Sequence, residues 1–214
     1  MKLKLSSLQG KIIALDGPAG SGKSTTARML AARLGYRYLD TGAMYRAITY
    51  FALKRNIAPS DGDKLKVLAD KLPIEFETEE DINRVIINGE DVTNEIRTPE
   101  VTRHVSEVSA HKGVRQSMVA KQREMGDKGS IVAEGRDTTT VVFPDADLKI
   151  SRERVLQLQQ NLNTLGYDAG EPDGVPGPMT RSAISRYQQS KGVIADGYLD
   201  AGIIKAIGQD ALSE

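Results

Sequence analysis

The sequence predicts an α/β domain with a parallel sheet, followed by a small all-α domain of three helices. Short apolar runs that suit buried strands, and a glycine-rich turn between the first of them and a helical segment, indicate the α/β domain. Apolar residues that recur every three or four positions after residue 150 indicate the helices. We therefore expect two domains, 1–150 and 151–214.

Composition excludes several classes of function. The 214 residues carry 29 basic and 29 acidic side chains and no cysteine. A formal charge of zero argues against a nucleic-acid partner, and the lack of thiols excludes a disulfide framework and a thiol nucleophile. We find no signal peptide and no apolar run of membrane-spanning length, so we expect a cytoplasmic protein with no membrane partner.

A phosphate-binding pattern follows the first apolar run, residues 11–16 (KIIALD). Residues 17–24 read GPAGSGKS, which matches G-x-x-x-x-G-K-[ST], and a helix is predicted for residues 25–34. Glycines let backbone N–H groups turn inward, where they and the helix N-terminus hold phosphate oxygens. Lys23 would reach the β- and γ-phosphates of a nucleotide, and Ser24 would bind Mg²⁺. The predicted phosphate-binding residues are Gly17, Gly20, Ser21, Gly22, Lys23, Ser24 and Thr25.

Two further strand ends carry arginine. Residues 38–46 (YLDTGAMYR) lead from a second strand into a helix and end at Arg46, while residues 130–135 (SIVAEG) form a third strand that precedes Arg136 and Asp137. Ligands of a doubly wound sheet bind at the edge formed by the carboxyl ends of its strands. Arginine at that edge suits bidentate binding of a phosphate. The alternative is that either arginine makes only a surface ion pair.

Taken together, five segments resemble bacterial cytidylate kinase, without a gap over residues 11–150. They are GPAGSGKSTTAR, LDTGAMYR, INGEDVTNEIRTPEV, AEGRD and TVVFPDADLKI. The resemblance implies a P-loop kinase core that transfers the γ-phosphate of ATP to CMP or dCMP with Mg²⁺. It also implies a small β insert at residues 73–93, where an Asn88-Gly89 turn lies between strand-like residues.

The same resemblance implies how the substrate is bound. The CMP phosphate would lie near Thr41, Arg46 and Arg115. The cytosine amino group would be read by Ser106 and Asp137, with Arg136 beside them. A carboxylate accepts a hydrogen bond from that amino group, and uracil has no such donor. Lys23 and Arg136 would act in catalysis, and Thr139 stands where the family often has glycine. The implied substrate-binding residues are Thr41, Arg46, Ser106, Arg115, Arg136 and Asp137.

The resemblance ends at the strand that finishes near Ile150. In the family an arginine-rich lid follows, and then a last strand and helix of the core; none of these is recognisable in residues 151–214. Lid arginines stabilise charge in the transition state, so we expect impaired turnover. The sheet is expected to be incomplete, with an open edge.

Residues 154–207 resemble the peptidoglycan-binding-like domain that accompanies cell-wall hydrolases. Gly166 and Gly192 are predicted to end the first two helices, and Thr180 and Asp200 to cap the second and third. The resemblance implies peptidoglycan as a ligand, although members of this fold also serve as packing domains or pro-domains.

Three hypotheses remain open from the sequence. The chain is a nucleoside monophosphate kinase by descent with reduced turnover, or a non-catalytic wall-binding protein whose first half is a scaffold. The third hypothesis is an artificial or recombinant chimera in which neither activity is intact. An ATP-dependent CMP phosphorylation assay separates the first from the other two.

Overall fold

The structure is a computed structural model that describes residues 10–17, 20, 22–79, 82–197 and 201–213. Of the predicted site residues, Ser21 lies outside these ranges, as does Asp200, the predicted cap of the third helix. No helix in the described ranges is long and apolar enough to cross a membrane.

A parallel sheet organises the first half and confirms the predicted α/β core. Its strands are β1 (Ile12–Asp16), β2 (Arg37–Asp40), β6 (Ile131–Gly135) and β7 (Leu148–Ile150), in the spatial order β2-β6-β1-β7. In the central pair Ile12 aligns with Ile131 and Asp16 with Gly135, so the segments that follow these two strands leave the sheet side by side. The whole of β6 is buried, as expected for a central strand of a covered parallel sheet.

The helices of this half begin at recognisable caps. The Asp40 carboxylate accepts from the N–H of Ala43 at 2.9 Å, and Thr98 caps a helix whose first residue is Pro99. Buried residues of the second helix, including Met44 and Ile48, form the largest core together with residues of the third and fifth. The helices are α1 (Lys23–Leu34), α2 (Thr41–Lys54), α3 (Gly62–Lys71), α4 (Pro99–Ala110) and α5 (Lys112–Asp127).

The predicted β insert is an antiparallel sheet of β3 (Glu75–Glu79), β4 (Ile82–Ile87) and β5 (Glu90–Asp91). Asn88 and Gly89 join the last two strands with φ of 51° and 80°, the backbone that Asn-Gly favours in a tight hairpin. Apolar side chains on one face of the insert are buried in the main core. The insert is thereby fixed to the first half of the chain.

The second half is helical, as predicted, with α6 (Arg152–Thr164), α7 (Pro178–Ser190) and α8 (Ala201–Ala211). Thr180 is not the cap predicted for the second helix. Gly177 occupies the cap position, and Thr180 lies inside α7 with its hydroxyl 2.9 Å from the donating Nε2 of Gln159. The core consists of Leu158, Leu162, Ala169, Ala183, Ile184, Tyr187, Ile203 and Ile207.

Helix α6 connects the two halves by packing. It begins immediately after Ser151, which caps it and separates it from β7. Val155 packs in a cluster with Ile13, Leu15 and other residues around the parallel sheet, whereas later positions of α6 enter the second core. Within the described residues, no strand pairs with the outer edge of β7.

Candidate active site

The phosphate-loop region lies at the carboxyl end of β1. Gly20 and Gly22 both have φ of 77°, a left-handed backbone that a side chain would strain. Gly22 is also the N-cap of α1, and the N–H of Gly17 donates to the carbonyl of Gly135 at 3.2 Å. The glycines of the motif thus turn the chain sharply from β1 into α1 beside the end of β6.

A buried carboxylate, Glu134 on β6, meets the functional side chains of this loop. The residue is 3% exposed. Its Oε1 accepts from Ser24 Oγ at 2.5 Å and from the Tyr38 hydroxyl at 2.8 Å, and its Oε2 lies 3.6 Å from Lys23 Nζ. Burial, with the negative charges of Asp40 and Glu134, raises the pKa of the Tyr38 hydroxyl. Sequence reasoning gave Glu134 no role, although an acidic residue inside an apolar strand is a usable signal.

Asp16 fixes the loop that follows β6. Its carboxylate accepts from the N–H of Thr138 at 2.6 Å, from the N–H of Thr139 at 3.0 Å, and from the Thr139 hydroxyl. Thr139 therefore adds a side-chain hydrogen bond that glycine, the residue expected here from the resemblance, would lack. The turn of helix that starts at Thr138 is held against the end of β1.

Two of the predicted substrate-binding residues form an ion pair. Arg115 on α5 donates from Nη2 to Asp137 Oδ2 at 2.5 Å, and both side chains are partly exposed. Tyr45 on α2 lies close to them: burial and the charge of Asp137 raise the pKa of its hydroxyl. The structure thus brings together a predicted phosphate contact and a predicted base contact.

The other predicted substrate contacts bond to different partners or face solvent. Thr41 is buried, and its hydroxyl donates to the carbonyl of Glu134 at 2.8 Å. Arg46 donates to Thr102 Oγ1 at 2.9 Å, and Ser106 is exposed on α4. Among the described residues, no hydrogen bond or ion pair joins Arg46 or Ser106 to Asp137. The roles of Arg46 as a phosphate contact and of Ser106 as a base contact stay predictions.

Gly135 requires the absence of a side chain at the end of β6. A Cβ added there would lie 2.3 Å from Thr41 Oγ1 and 2.5 Å from Thr138 Oγ1. The hydroxyl of Thr138 is buried and lacks a hydrogen-bond partner. The strand end, the start of α2 and the loop after β6 are consequently packed together without spare room.

A cleft of about 930 Å³ opens beside these segments. Its lining includes Asp16, Gly17, Arg136 and Thr139, together with residues of β7 and α6. Ser24 in the first turn of α1 and Glu134 on β6 carry oxygen atoms of the type that Mg²⁺ prefers as ligands. No cluster of three or more histidine, cysteine, aspartate or glutamate side chains suited to a metal occurs in the described part of the chain.

Comparison with known proteins identifies two families. A family model for cytidylate kinase matches residues 13–161, and one for a peptidoglycan binding domain matches residues 151–207. The two matches overlap at residues 151–161, which are Ser151 and most of α6. The chain is 47% identical over 161 residues to a cytidylate kinase of Bacillus velezensis, covering 73% of this chain and 72% of that protein.

Other relatives are longer than the part that this chain matches. A cytidylate kinase of Ligilactobacillus salivarius is 52% identical over 138 residues, covering 64% of this chain and 62% of that protein. A bifunctional pantoate ligase/cytidylate kinase of Synechococcus sp. is 48% identical over 159 residues, covering 70% of this chain. The match spans only 33% of the length of that bifunctional protein.

Proposed function

Because this chain belongs to the cytidylate kinase family, we propose that it is a nucleoside monophosphate kinase that converts ATP and CMP or dCMP to ADP and CDP or dCDP. One observation carries the proposal: Lys23 and Ser24 converge on the buried carboxylate Glu134 where β1 and β6 end. This arrangement places a cation and oxygen ligands beside the loop that holds phosphates. The proposed location is the cytoplasm, where CMP occurs.

The donor nucleotide is proposed to bind at the phosphate loop. Backbone N–H groups of the loop and the start of α1 hold its phosphates, and Lys23 contributes a positive charge. The Lys23 to Glu134 separation of 3.6 Å is a loose ion pair, so the ammonium group exchanges it readily for a phosphate oxygen. Ser24 and Glu134 are the residues that would hold Mg²⁺, which neutralises phosphate charge when bound.

The acceptor is proposed to bind near Asp137. The carboxylate accepts from the cytosine amino group, and Arg115 leaves its ion pair with Asp137 to contact the CMP phosphate. Both side chains are partly exposed, so this exchange of partners does not require the core to open. Thr41 joins them only if its hydroxyl turns from the Glu134 carbonyl.

Transfer itself requires positioning and charge stabilisation. An oxygen of the CMP phosphate attacks the γ-phosphorus, the bond between that phosphorus and the β–γ bridging oxygen breaks, and ADP leaves. Lys23 lies on the side of the donor nucleotide. Arg136 directly follows Gly135, the last residue of β6, whose carbonyl accepts a hydrogen bond from Gly17 of the phosphate loop. Both cations offset negative charge that develops on the transferred group.

A coupled assay of ADP formation from ATP and CMP tests the proposal, together with the rise in melting temperature caused by MgATP. We expect CMP-dependent ADP formation and a measurable rise, both lost in Lys23→Ala because backbone amides cannot replace the lysine charge. Lys128→Ala, which changes an exposed lysine after α5, is the matched control. A Lys23→Ala protein that keeps the nucleotide-induced rise would contradict the proposed donor site.

The second half is proposed to bind peptidoglycan, because residues 151–207 match the family model for that domain. Sedimentation of the full chain with purified peptidoglycan tests this. We expect co-sedimentation that is lost in Leu162→Asp, since Leu162 is fully buried in the second core and an unpaired carboxylate there is costly. If the wild-type chain stays in the supernatant, the helices act as a packing domain.

A further inference from the structure

The cleft beside the phosphate loop is lined on one side by residues of β7 and of the first turn of α6. Lys149 belongs to the short edge strand β7, and Arg152 and Arg154 belong to the first turn of α6. All three line the same cleft as Gly17, the first residue of the phosphate loop, and Arg136. Four cationic side chains therefore line one cleft at the carboxyl edge of the sheet.

The carboxylates of the cleft are already occupied by other groups. Asp16 accepts the hydrogen bonds from Thr138 and Thr139 described above. Asp147 accepts from Lys11 Nζ at 2.7 Å and from the N–H of Ile12 at 2.9 Å. Neither carboxylate is paired with a cation of the cleft.

Glu153 is the remaining carboxylate. A hydrogen bond with Ser151 is the main cause that lowers its pKa, and the charge of Arg152 adds to it. This one acidic group therefore offsets part of the charge of Arg152 and leaves the other cations of the cleft unneutralised.

The cationic groups themselves bond mostly to neutral partners or to none. Arg154 donates from Nη1 to the carbonyl of Lys149 at 3.1 Å, and Arg152 donates from Nε to the carbonyl of Asp173 at 3.1 Å. Within the described residues, the side chains of Arg136 and Lys149 make no hydrogen bond or ion pair. Because a carbonyl orients a guanidinium without neutralising it, the cleft keeps an excess of positive charge.

We propose that Lys149, Arg152 and Arg154 bind the phosphate chain of the nucleotide that the phosphate loop holds. Strand β7 and the first turn of α6 thereby supply cationic charge beside the phosphates. The arginine-rich lid implied by the resemblance is not recognisable in residues 151–214. This inference rests on the proposed kinase function. Its ligand is the polyphosphate of the donor, because the cations share their cleft with the first residue of the phosphate loop.

Isothermal titration of the full chain with MgATP tests the inference. We expect Lys149→Ala and Arg152→Ala each to weaken binding about tenfold, the scale of one lost charge-assisted contact. Arg181→Ala is the matched control: Arg181 is also an exposed arginine of the helical half, and it donates to the carbonyl of Pro176 at 2.8 Å. We expect this control to bind MgATP like the wild type.

Further variants and measurements distinguish loss of charge from loss of folding, and binding of the donor nucleotide from binding of the acceptor. Arg152→Lys keeps the charge and should recover most of the affinity, while melting temperatures without nucleotide show whether a variant is folded. If Arg152→Ala does not fold, Lys149→Ala decides the result. Equal MgATP affinities for Lys149→Ala, Arg152→Ala and Arg181→Ala, with Lys23→Ala weakened, would overturn this inference and leave the proposed function intact.

Two other outcomes would overturn the assignment to the donor phosphates or the proposed function itself. A loss that falls on CMP binding and spares MgATP would overturn the assignment to the donor phosphates. MgATP affinity that is unchanged in Lys23→Ala would overturn the proposed function, and this inference with it.

Discussion

The side chain of Glu134 on β6 joins two other parts of the candidate site, the end of the phosphate loop and the neighbouring strand β2. It is the common partner of Ser24, Tyr38 and Lys23, and it is almost completely buried. Without its carboxylate the Tyr38 hydroxyl would be left in the core without an acceptor. Loss of such a partner costs the full desolvation penalty of the remaining group.

We expect Glu134→Ala to lower the free energy of unfolding by about 1–3 kcal/mol, since it leaves the Tyr38 hydroxyl unsatisfied. Urea unfolding followed by circular dichroism measures this. Glu124→Ala, an exposed glutamate on α5, is the control and should change the free energy by no more than about 0.5 kcal/mol. Equal stabilities for the two variants would show that the Glu134 network is not part of the core.

At the scale of elements, two glutamines organise the turns of the helical half. Gln159 on α6 accepts from the N–H of Asp173 at 3.1 Å and of Gly174 at 2.8 Å. Gln188 on α7 likewise accepts from the N–H of Gly197 at 2.8 Å. Each helix therefore holds an Asp-Gly turn through one buried amide, which explains two of the glutamines that are frequent in this half.

Removal of the Gln159 amide is expected to loosen the first of these turns. Gln159→Ala leaves two backbone N–H groups and the buried Thr180 hydroxyl without this partner, so we expect a loss of about 1–3 kcal/mol or more in unfolding free energy. Gln160→Ala, at the next and exposed position of α6, should be nearly neutral. Thermal unfolding of both variants compares them directly; similar melting temperatures would refute the role of Gln159.

At the scale of the whole molecule, catalysis is expected to be slow. The predicted lid arginines are not recognisable, and a transition-state arginine is worth about 10³-fold or more in rate. We therefore expect CMP phosphorylation at least ~10³-fold slower than in a complete kinase assayed alongside. Turnover in the ordinary kinase range of ~1–100 s⁻¹ would show that another group replaces the lid in the transition state.

We expect the free energy of unfolding of the whole chain to decrease in acid. Hydrogen bonds to three aspartates lower the pKa values of their carboxyl groups. The donors are Lys64 for Asp61, Lys66 and Ser117 for Asp70, and Lys191 and Tyr187 for Asp210. A lowered pKa in the folded state means that these groups stabilise the fold above their unfolded pKa, near 4. That contribution is lost as the pH falls through their folded pKa values.

The measurement is the melting temperature between about pH 6 and pH 3, which we expect to decrease on acidification. Asp70→Asn removes one of the titrating groups and should make the decrease smaller. A melting temperature that is constant over this range would contradict the assignment.

The sequence by itself determined the features that have a local cause. The glycine positions of the phosphate loop and the Asn88-Gly89 turn follow from backbone angles that few other residues adopt. The three apolar stripes after residue 150 follow from helical periodicity, and α6–α8 confirm them. The Thr180 cap was wrong because Gly177 caps the helix that Pro178 begins, while the Thr180 hydroxyl is bound by Gln159 from another helix.

Only the tertiary structure decided which distant residues meet. Glu134 contacts Ser24 and Tyr38 across 110 and 96 residues of chain, and Asp16 contacts Thr138 across 122. Such contacts depend on the spatial order of the strands, which leaves no periodicity or turn signal in a single sequence. The same holds for α6. Its Val155 packs against the parallel sheet, and its arginines line the cleft that also contains Gly17, because β7 lies beside β1.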